Sequence, residues 1–402
     1  MKNKLLKSCF TGLALSVAGL ATAEDPVQIF THQLTSHAAI SGAALSLTAG
    51  SMIGGDLAAG AAATLGAGSG RSGSSSTHES YQPNLFAGAA VTLGASSVVN
   101  DIIAGAALTL GADAQARNVS AGAAFTMGAS SVVNDIIAGA ALTLGAAAQG
   151  RNASVGAAFT LGAGASVEQV TPDSFARGNG GITTPIEMDN AVAQVQLAKD
   201  ALYRLPTTLG EDYQLATTMT GGSFAPGVYH GSAVTFAANS QIQYKNDTGL
   251  VNPVWIFNLD SAMNVGAMST FEALDLDSGT VIWNIGGALT LGAGTDFSGV
   301  AFVEGAVIGV TSWVTCGNLY ATAAISIGSI NEAAVDCSVS AQKSVGLTVS
   351  TDNVVLLDGN AVNVDAPKCS DFAFEWLESF DAEASSTHDC DRGEQTNESE
   401  LN

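Results

Sequence analysis

Residues 87–154 spell one 34-residue phrase twice, AGAAVTLGASSVVNDIIAGAALTLGADAQARNVS and then AGAAFTMGASSVVNDIIAGAALTLGAAAQGRNAS, identical at 29 of 34 positions. Each unit is itself two 17-residue halves, because G-A-A-x-T-x-G-A starts at Gly88, Gly105, Gly122, Gly139 and Gly156. Looser copies begin at Gly42, Gly60 and Gly287. Seventeen residues are too few for the common helix-pair repeats, and each half holds one alternating stretch followed by Gly and polar punctuation. In Ala89-Ala90-Val91-Thr92-Leu93-Gly94, side chains on a strand alternate, so Ala89, Val91 and Leu93 are expected inward and Ala90, Thr92 and Gly94 outward. Phe125 and Met127 keep the rule in a later copy. One such coil buries too little to stand alone, and stacked coils bury a continuous apolar column. The fold class that follows is all-β: a parallel β-helix, or β-solenoid, with coils of about 17 residues.

One long helix is expected beside it. Thr184-Pro185-Ile186-Glu187 combines an N-cap threonine, proline at the first helical position and glutamate three residues after the cap. Met188, Ala191, Val192, Val195 and Leu202 then form one apolar stripe, and Leu205-Pro206 ends it. The helix is placed at residues 184–204, flanking a solenoid domain of residues 24–366. Its repeat-enlarged part spans residues 87–163.

The first 23 residues carry Lys2, Lys4 and Lys7, a short apolar core from Leu13 to Leu20 and the small-residue site Ala21-Thr22-Ala23. This is the pattern of a cleaved signal peptide, and it predicts a secreted, extracellular protein. No later run is long and apolar enough for a membrane helix, so no membrane insertion is expected. An exported chain keeps Cys316, Cys337, Cys369 and Cys390 as disulfide candidates, and four cysteines allow three pairings. Residues 367–402 form a separate acidic tail, and from Cys369 onward ten acidic side chains stand against Arg392 alone. The chain's net charge of −23 becomes −26 without the leader, 10 basic residues against 36 acidic. Such a balance excludes nucleic acid as a partner and opposes anionic lipid. It also favours a monomer, with the solenoid ends covered by the leading segment and the cysteine-containing tail.

The second half carries further motifs in order: GGSFAPGVY from Gly221, PVWIFNL from Pro253, GTVIWNIG from Gly279 and TDFSGVA from Thr295. Together with MIGGDL from Met52, they resemble the ice-binding-like (antifreeze) family of cold-adapted microbes. The resemblance covers residues 184–330 best. It implies an interrupted right-handed β-helix with the helix packed alongside, and an ice crystal surface as the partner of one flat side. The five regular coils of residues 87–163 enlarge the usual single domain, and Cys316-Gly317-Asn318-Leu319-Tyr320-Ala321 replaces a segment where the family often has Gly-Arg.

Seven threonines hold the same place in their repeats: Thr64, Thr92, Thr109, Thr126, Thr143, Thr160 and Thr290. If each coil adds one rung, they form a file at about 4.8 Å spacing. Threonine offers a methyl group that disfavours ordinary hydration, a hydroxyl that holds an ordered water, and a stiff χ1. These seven are the candidate ice-binding residues. The plainer reading is that threonine suits an outward strand position.

Asn100 and Asn134, Asp101 and Asp135, and Asn118 and Asn152 recur at 34-residue spacing. Stacked turn ladders account for them. Calcium would need more oxygens per site, and there is no G-G-x-G-x-D repeat. Asn118-Val119-Ser120 and Asn152-Ala153-Ser154 match the glycosylation triplet, but the leader is of bacterial type.

An enzyme needs a constellation, and none is legible. His32, His37, His78, His230 and His388 are scattered, and a solvated strand end explains Asp275 and Asp277 better than a hydrolase pair does. Cys369, His388 and Cys390 are more simply read as a disulfide with a nearby histidine than as a metal set. The expected function is non-enzymatic and without cofactor: adsorption to ice through a flat Thr/Ala/Gly side. The alternative is a cell-surface or matrix solenoid that serves adhesion or structure.

Overall fold

The computed structural model describes residues 26–70, 82–172, 184–208, 213–247, 250, 252–274, 279–330, 346–349, 355–357 and 360–361. The leader of residues 1–23 and the tail of residues 367–402 lie outside them. Within the described residues, short strands stack in one 26-stranded ladder whose pairings are parallel.

The repeat shows how one coil closes. Leu108–Leu110 forms the first side, with both leucines buried and Thr109 exposed. Asp113 then turns the chain at φ 58°, and Ser96, Ser130 and Ala147 hold the same corner on neighbouring coils at 56–59°. Only a single left-handed residue is needed there, which short polar residues tolerate best. The strand Gln115–Ala121 supplies the other two sides. Its alternation slips at Arg117 and Asn118, two successive outward residues, and this marks a bend. The coil ends at Gly122, where an added Cβ would lie 2.3 Å from the carbonyl oxygen of Gly105 in the coil before. No side chain fits that corner. Three sides and three corners make a parallel β-helix.

Val91 and Leu93 point inward as alternation requires, but Ala89 sits in the corner before the strand and is half-buried. The corner resets the alternation.

Coil length is 17 residues from Thr92 to Thr160. It rises to 29 between Thr235 and Asn264. Interior volume explains the difference: the repeat coils are filled mainly by Leu, Ile, Val and Ala, with Phe125 and Met127 in one of them, whereas the later coils enclose Trp255, Trp283, Tyr244 and Phe236. Tyr229, Phe257 and Trp283 occupy one register position on successive rungs and stack face to face, with centroids 4.7 and 3.9 Å apart.

The stacking order is not the chain order. Ile325–Ile330 pairs with Leu45–Leu47, and Val307–Ala321 with His37–Ser41. The ladder therefore runs from Thr218–Phe224 up to Ile325–Ile330, continues into the N-terminal coils and finishes at Ser166–Pro172. The helix Thr184–Tyr203 follows that last strand in the chain and lies along the side of the earlier rungs.

Ala191, Val195, Ala198 and Leu202 form the helix's buried stripe. They face Val228, Ile256, Ile282 and Val300, one outward sheet column that is fully apolar. The same column turns polar at Asn318 and carries Asp and Asn in the N-terminal coils from Asp56 onward, as described below. The leading strand Val27–Gln28 and the short helix His32–Thr35 cover no solenoid end. Ile29, Phe30 and Leu34 pack into the helix cluster, and Val27–Gln28 pairs antiparallel with Thr348–Val349.

Candidate functional site

The parallel registers place all seven sequence-predicted threonines on one outward file. Thr64 pairs with Thr92, Thr92 with Thr109, and so on through Thr126 and Thr143 to Thr160. Thr290 belongs to the same file, three rungs below Ser46 through Ile308 and Ser326. Below it come Asn264, Thr235 and Thr218. Among the described residues the file thus has thirteen positions, nine of them threonine. Thr143 and Thr290 are half-buried, and the other five predicted threonines are exposed.

Ser46 was within reach of sequence reasoning, since GAALSLTA puts it at the threonine place. Thr218, Thr235, Asn264, Ile308 and Ser326 were not. Their coils differ in length and lack the full phrase, so only register reveals them.

Two further files flank the threonines. Backbone bonds run from Leu108 to Ala124, Phe125 to Ala141 and Leu142 to Ala158, so the alanine two places before each threonine stacks on its neighbour. The pattern holds without a break from Ala262 to Ala158 across the whole seam. On the other flank stand Gly66, Gly94, Gly111, Gly128, Gly145 and Gly162. A Cβ on Gly94 would lie 2.3 Å from the Ala67 nitrogen, and one on Gly111 would lie 2.5 Å from the Ala95 nitrogen. Packing therefore dictates the glycines and the inward leucines of the phrase. It does not dictate the threonines, whose side chains leave the sheet toward solvent.

The recurrent Asn and Asp residues form a ladder on another side. Asn118 Nδ2 donates to Asp101 Oδ1 at 2.9 Å, and Asn152 Nδ2 to Asp135 Oδ1 at 2.6 Å. Arg117 and Arg151 pair with the same two carboxylates at 2.7 and 3.1 Å. The Asn152 hydrogen bond, followed by Arg151, holds the Asp135 carboxyl below its ordinary range. Both glycosylation-triplet asparagines are thus engaged in the ladder. Asn84 continues it downward, its backbone nitrogen donating to Asp56 at 2.9 Å.

Polar groups under the helix have structural partners. Lys199 is buried, and its amine donates to Asn284 Oδ1 at 3.2 Å and to the Ile285 carbonyl at 2.9 Å. Burial lowers its pKa, opposed by the nearby Glu304. At the helix end Tyr203 donates to Asp260 at 2.7 Å, and His230 lies 3.2 Å from the same carboxylate. Among the described residues no group of three or more His, Cys, Asp or Glu is arranged to hold a metal ion. Asp275 and Asp277 lie outside them. Cys316 is disulfide-bonded, while Cys337, Cys369 and Cys390 lie outside the described residues. No helix among them is long and apolar enough to cross a membrane.

A solenoid with one regular outward side, and with the polar groups under its long helix engaged in structural hydrogen bonds, belongs to the class of proteins that present a surface. The particular family is the ice-binding-like family: its model matches residues 93–332, and the chain belongs to it. Similar solved structures include a glycosylated ice-binding protein from an Arctic yeast, 11% identical with a TM-score of 0.37 over 78% of this chain and 97% of the other. An ice-binding protein from the Antarctic ascomycete Antarctomyces psychrotrophicus is 19% identical, with a TM-score of 0.32 over 49% and 92%. One from an Antarctic bacterium of the Flavobacteriaceae is 15% identical, with a TM-score of 0.30 over 74% and 96%. No curated protein matches the sequence significantly.

Proposed function

We propose that the protein adsorbs to ice through the side bearing Thr64, Thr92, Thr109, Thr126, Thr143 and Thr160, with Thr290 further down the same file, and so restrains crystal growth outside the cell. Family membership supports ice as the partner and a non-enzymatic role. The observation that carries the choice of side is the unbroken run of outward hydroxyls at positions where packing demands nothing of the side chain. Each threonine holds its methyl and hydroxyl in a fixed rotamer, and the rungs repeat at about 4.8 Å. Such an array orders water in a lattice-like pattern before contact, with the stacked alanines keeping the surface low on one flank and the glycines on the other. The net charge of −26 without the leader supports a monomer, which sedimentation of the chain from Glu24 tests, and the leader pattern of residues 1–23 supports secretion.

The deciding experiment is ice-crystal shape and thermal hysteresis of that chain beside Thr109→Tyr/Thr126→Tyr/Thr143→Tyr. Outward strand positions accept aromatic residues, so the variant keeps its fold and loses ice binding. A folded triple variant that shapes ice like its parent moves the site to another side. A parent that leaves ice unaltered returns the molecule to the structural or adhesive reading.

A further inference from the structure

Ile308 is the one apolar residue among the thirteen described positions of the outward file. It stands between Thr290 and Ser326 and is 49% exposed. Its β-branched shape follows threonine as far as the γ atoms. It has a methylene where threonine has the hydroxyl, and it adds Cδ1 one carbon further out. The corner after it is irregular, since the register slips between Gly309 and Trp313. Trp313 is left 44% exposed there. The exposed Met268 lies over the corner one rung below, where a Cβ on Gly294 would meet its sulfur at 2.5 Å. An apolar step thus interrupts both the hydroxyl file and its adjoining corner at this level.

We infer that Ile308 divides the side into two arrays and confines ice contact to the longer one. This rests on the ice-binding reading above. From Ser326 and Ser46 to Thr160 the file offers eight hydroxyls without interruption. At the rung spacing that is roughly 34 Å of regular surface. Below Ile308 there are four positions, one of them the amide of Asn264. A rigid crystal plane seated on the long array meets Cδ1 of Ile308 first and is held off the residues below it. Because Ile308 is half out of the sheet and contributes little to the core, replacing it with Thr joins the two arrays at small cost to the fold.

Thermal hysteresis at equal concentration tests this with Ile308→Thr, Thr235→Tyr, their combination and Thr126→Tyr, each checked for folding by its melting curve. The expected result is an upward shift of hysteresis for I308T, no change for T235Y alone, and loss of the I308T gain in the combination. T126Y loses activity in either background. If I308T leaves hysteresis unchanged, or T235Y alone weakens it as T126Y does, the division is wrong while the ice-binding side stands. If T126Y keeps full hysteresis, or the parent has none, the ice-binding reading itself fails and this inference falls with it.

Discussion

The hydroxyl of Thr48 donates to the carbonyl oxygen of Gly328, 3.1 Å away and 280 positions later in the chain. Ser51 donates to the same carbonyl and to that of Thr48, and Met52 and Ser329 exchange two further bonds. These contacts close a seam at which Leu45–Leu47 continues the ladder that Ile325–Ile330 would otherwise end. Neither half of the chain completes the solenoid. The early coils supply the upper rungs, and the later coils supply the surface on which they are built.

Two fragments cut within residues 173–183 are therefore expected to fold only together. The C-terminal piece alone exposes the edge of Ile325–Ile330 and lacks Ile29, Phe30 and Leu34 from the helix cluster. Co-expressed, residues 24–178 and 179–402 should co-purify and melt as one unit, while each alone aggregates. A sharp cooperative melt from either fragment by itself would contradict the seam as a folding requirement.

Asn284 fastens the helix to the sheet. Its amide donates to the Lys199 carbonyl at 3.1 Å and to Asn258 at 2.9 Å, its oxygen accepts from the Lys199 amine, and Asn258 in turn donates to the Leu202 carbonyl. The last carbonyls of a helix otherwise lack partners. Asn284→Ala leaves several buried polar atoms unsatisfied and should cost about 2–4 kcal/mol. Denaturant unfolding measures it, and a change under about 1 kcal/mol would show that water replaces the amide.

How much of this was legible beforehand depends on where a residue's partners lie. The 17-residue phrase revealed the coil, its inward leucines and the threonine file from Thr92 to Thr160, because each partner sits one repeat away. Thr235 and Asn264 stayed hidden because their coil is lengthened around a wider aromatic interior. The helix was announced by its capping box, yet Lys199 on its buried side was not, since its partner Asn284 lies 85 positions away. Alternation alone points Ala89 inward, and the corner before Val91 turns it half outward. Nothing in the sequence places the leading segment away from an end, because Ile29 and Phe30 pack with Ile40, Ala58, Phe302 and Tyr320, which only the seam brings together.

Asp135 gives the ladder a pH signature. Asn152 and Arg151 lower its folded pKa, so its contribution is fully present above the ordinary aspartate value of about 3.9 and is lost as pH falls through the lower folded value. Asp135→Asn removes that contribution. The parent should melt above the variant near neutral pH, by a small margin because the pair is largely exposed. The gap should close in the window below about pH 4. A gap that persists unchanged at low pH would assign the difference to shape rather than to the carboxylate.

The ladder also explains why the sequence repeats every 34 residues when the coil repeats every 17. Asp101, Asn118, Asp135 and Asn152 are register neighbours, so acid and amide alternate, and each Asn and Arg of one coil bonds the Asp of the coil before. Deleting residues 105–138 removes two coils and brings Asn152 and Arg151 against Asp101, which preserves the alternation. Deleting residues 105–121 removes one coil and sets Asp135 directly against Asp101, with Arg117 and Asn118 gone. Like charges opposed across a strand pair, without the amide donor between them, should cost about 1 kcal/mol. The smaller deletion is therefore expected to melt lower than the larger one near neutral pH, although it removes less core. On the ice-binding reading, hysteresis should follow the opposite order, because the larger deletion shortens the hydroxyl file by two rungs and the smaller by one. If the one-coil deletion melts at or above the two-coil deletion, charge alternation is not what fixes the 34-residue period.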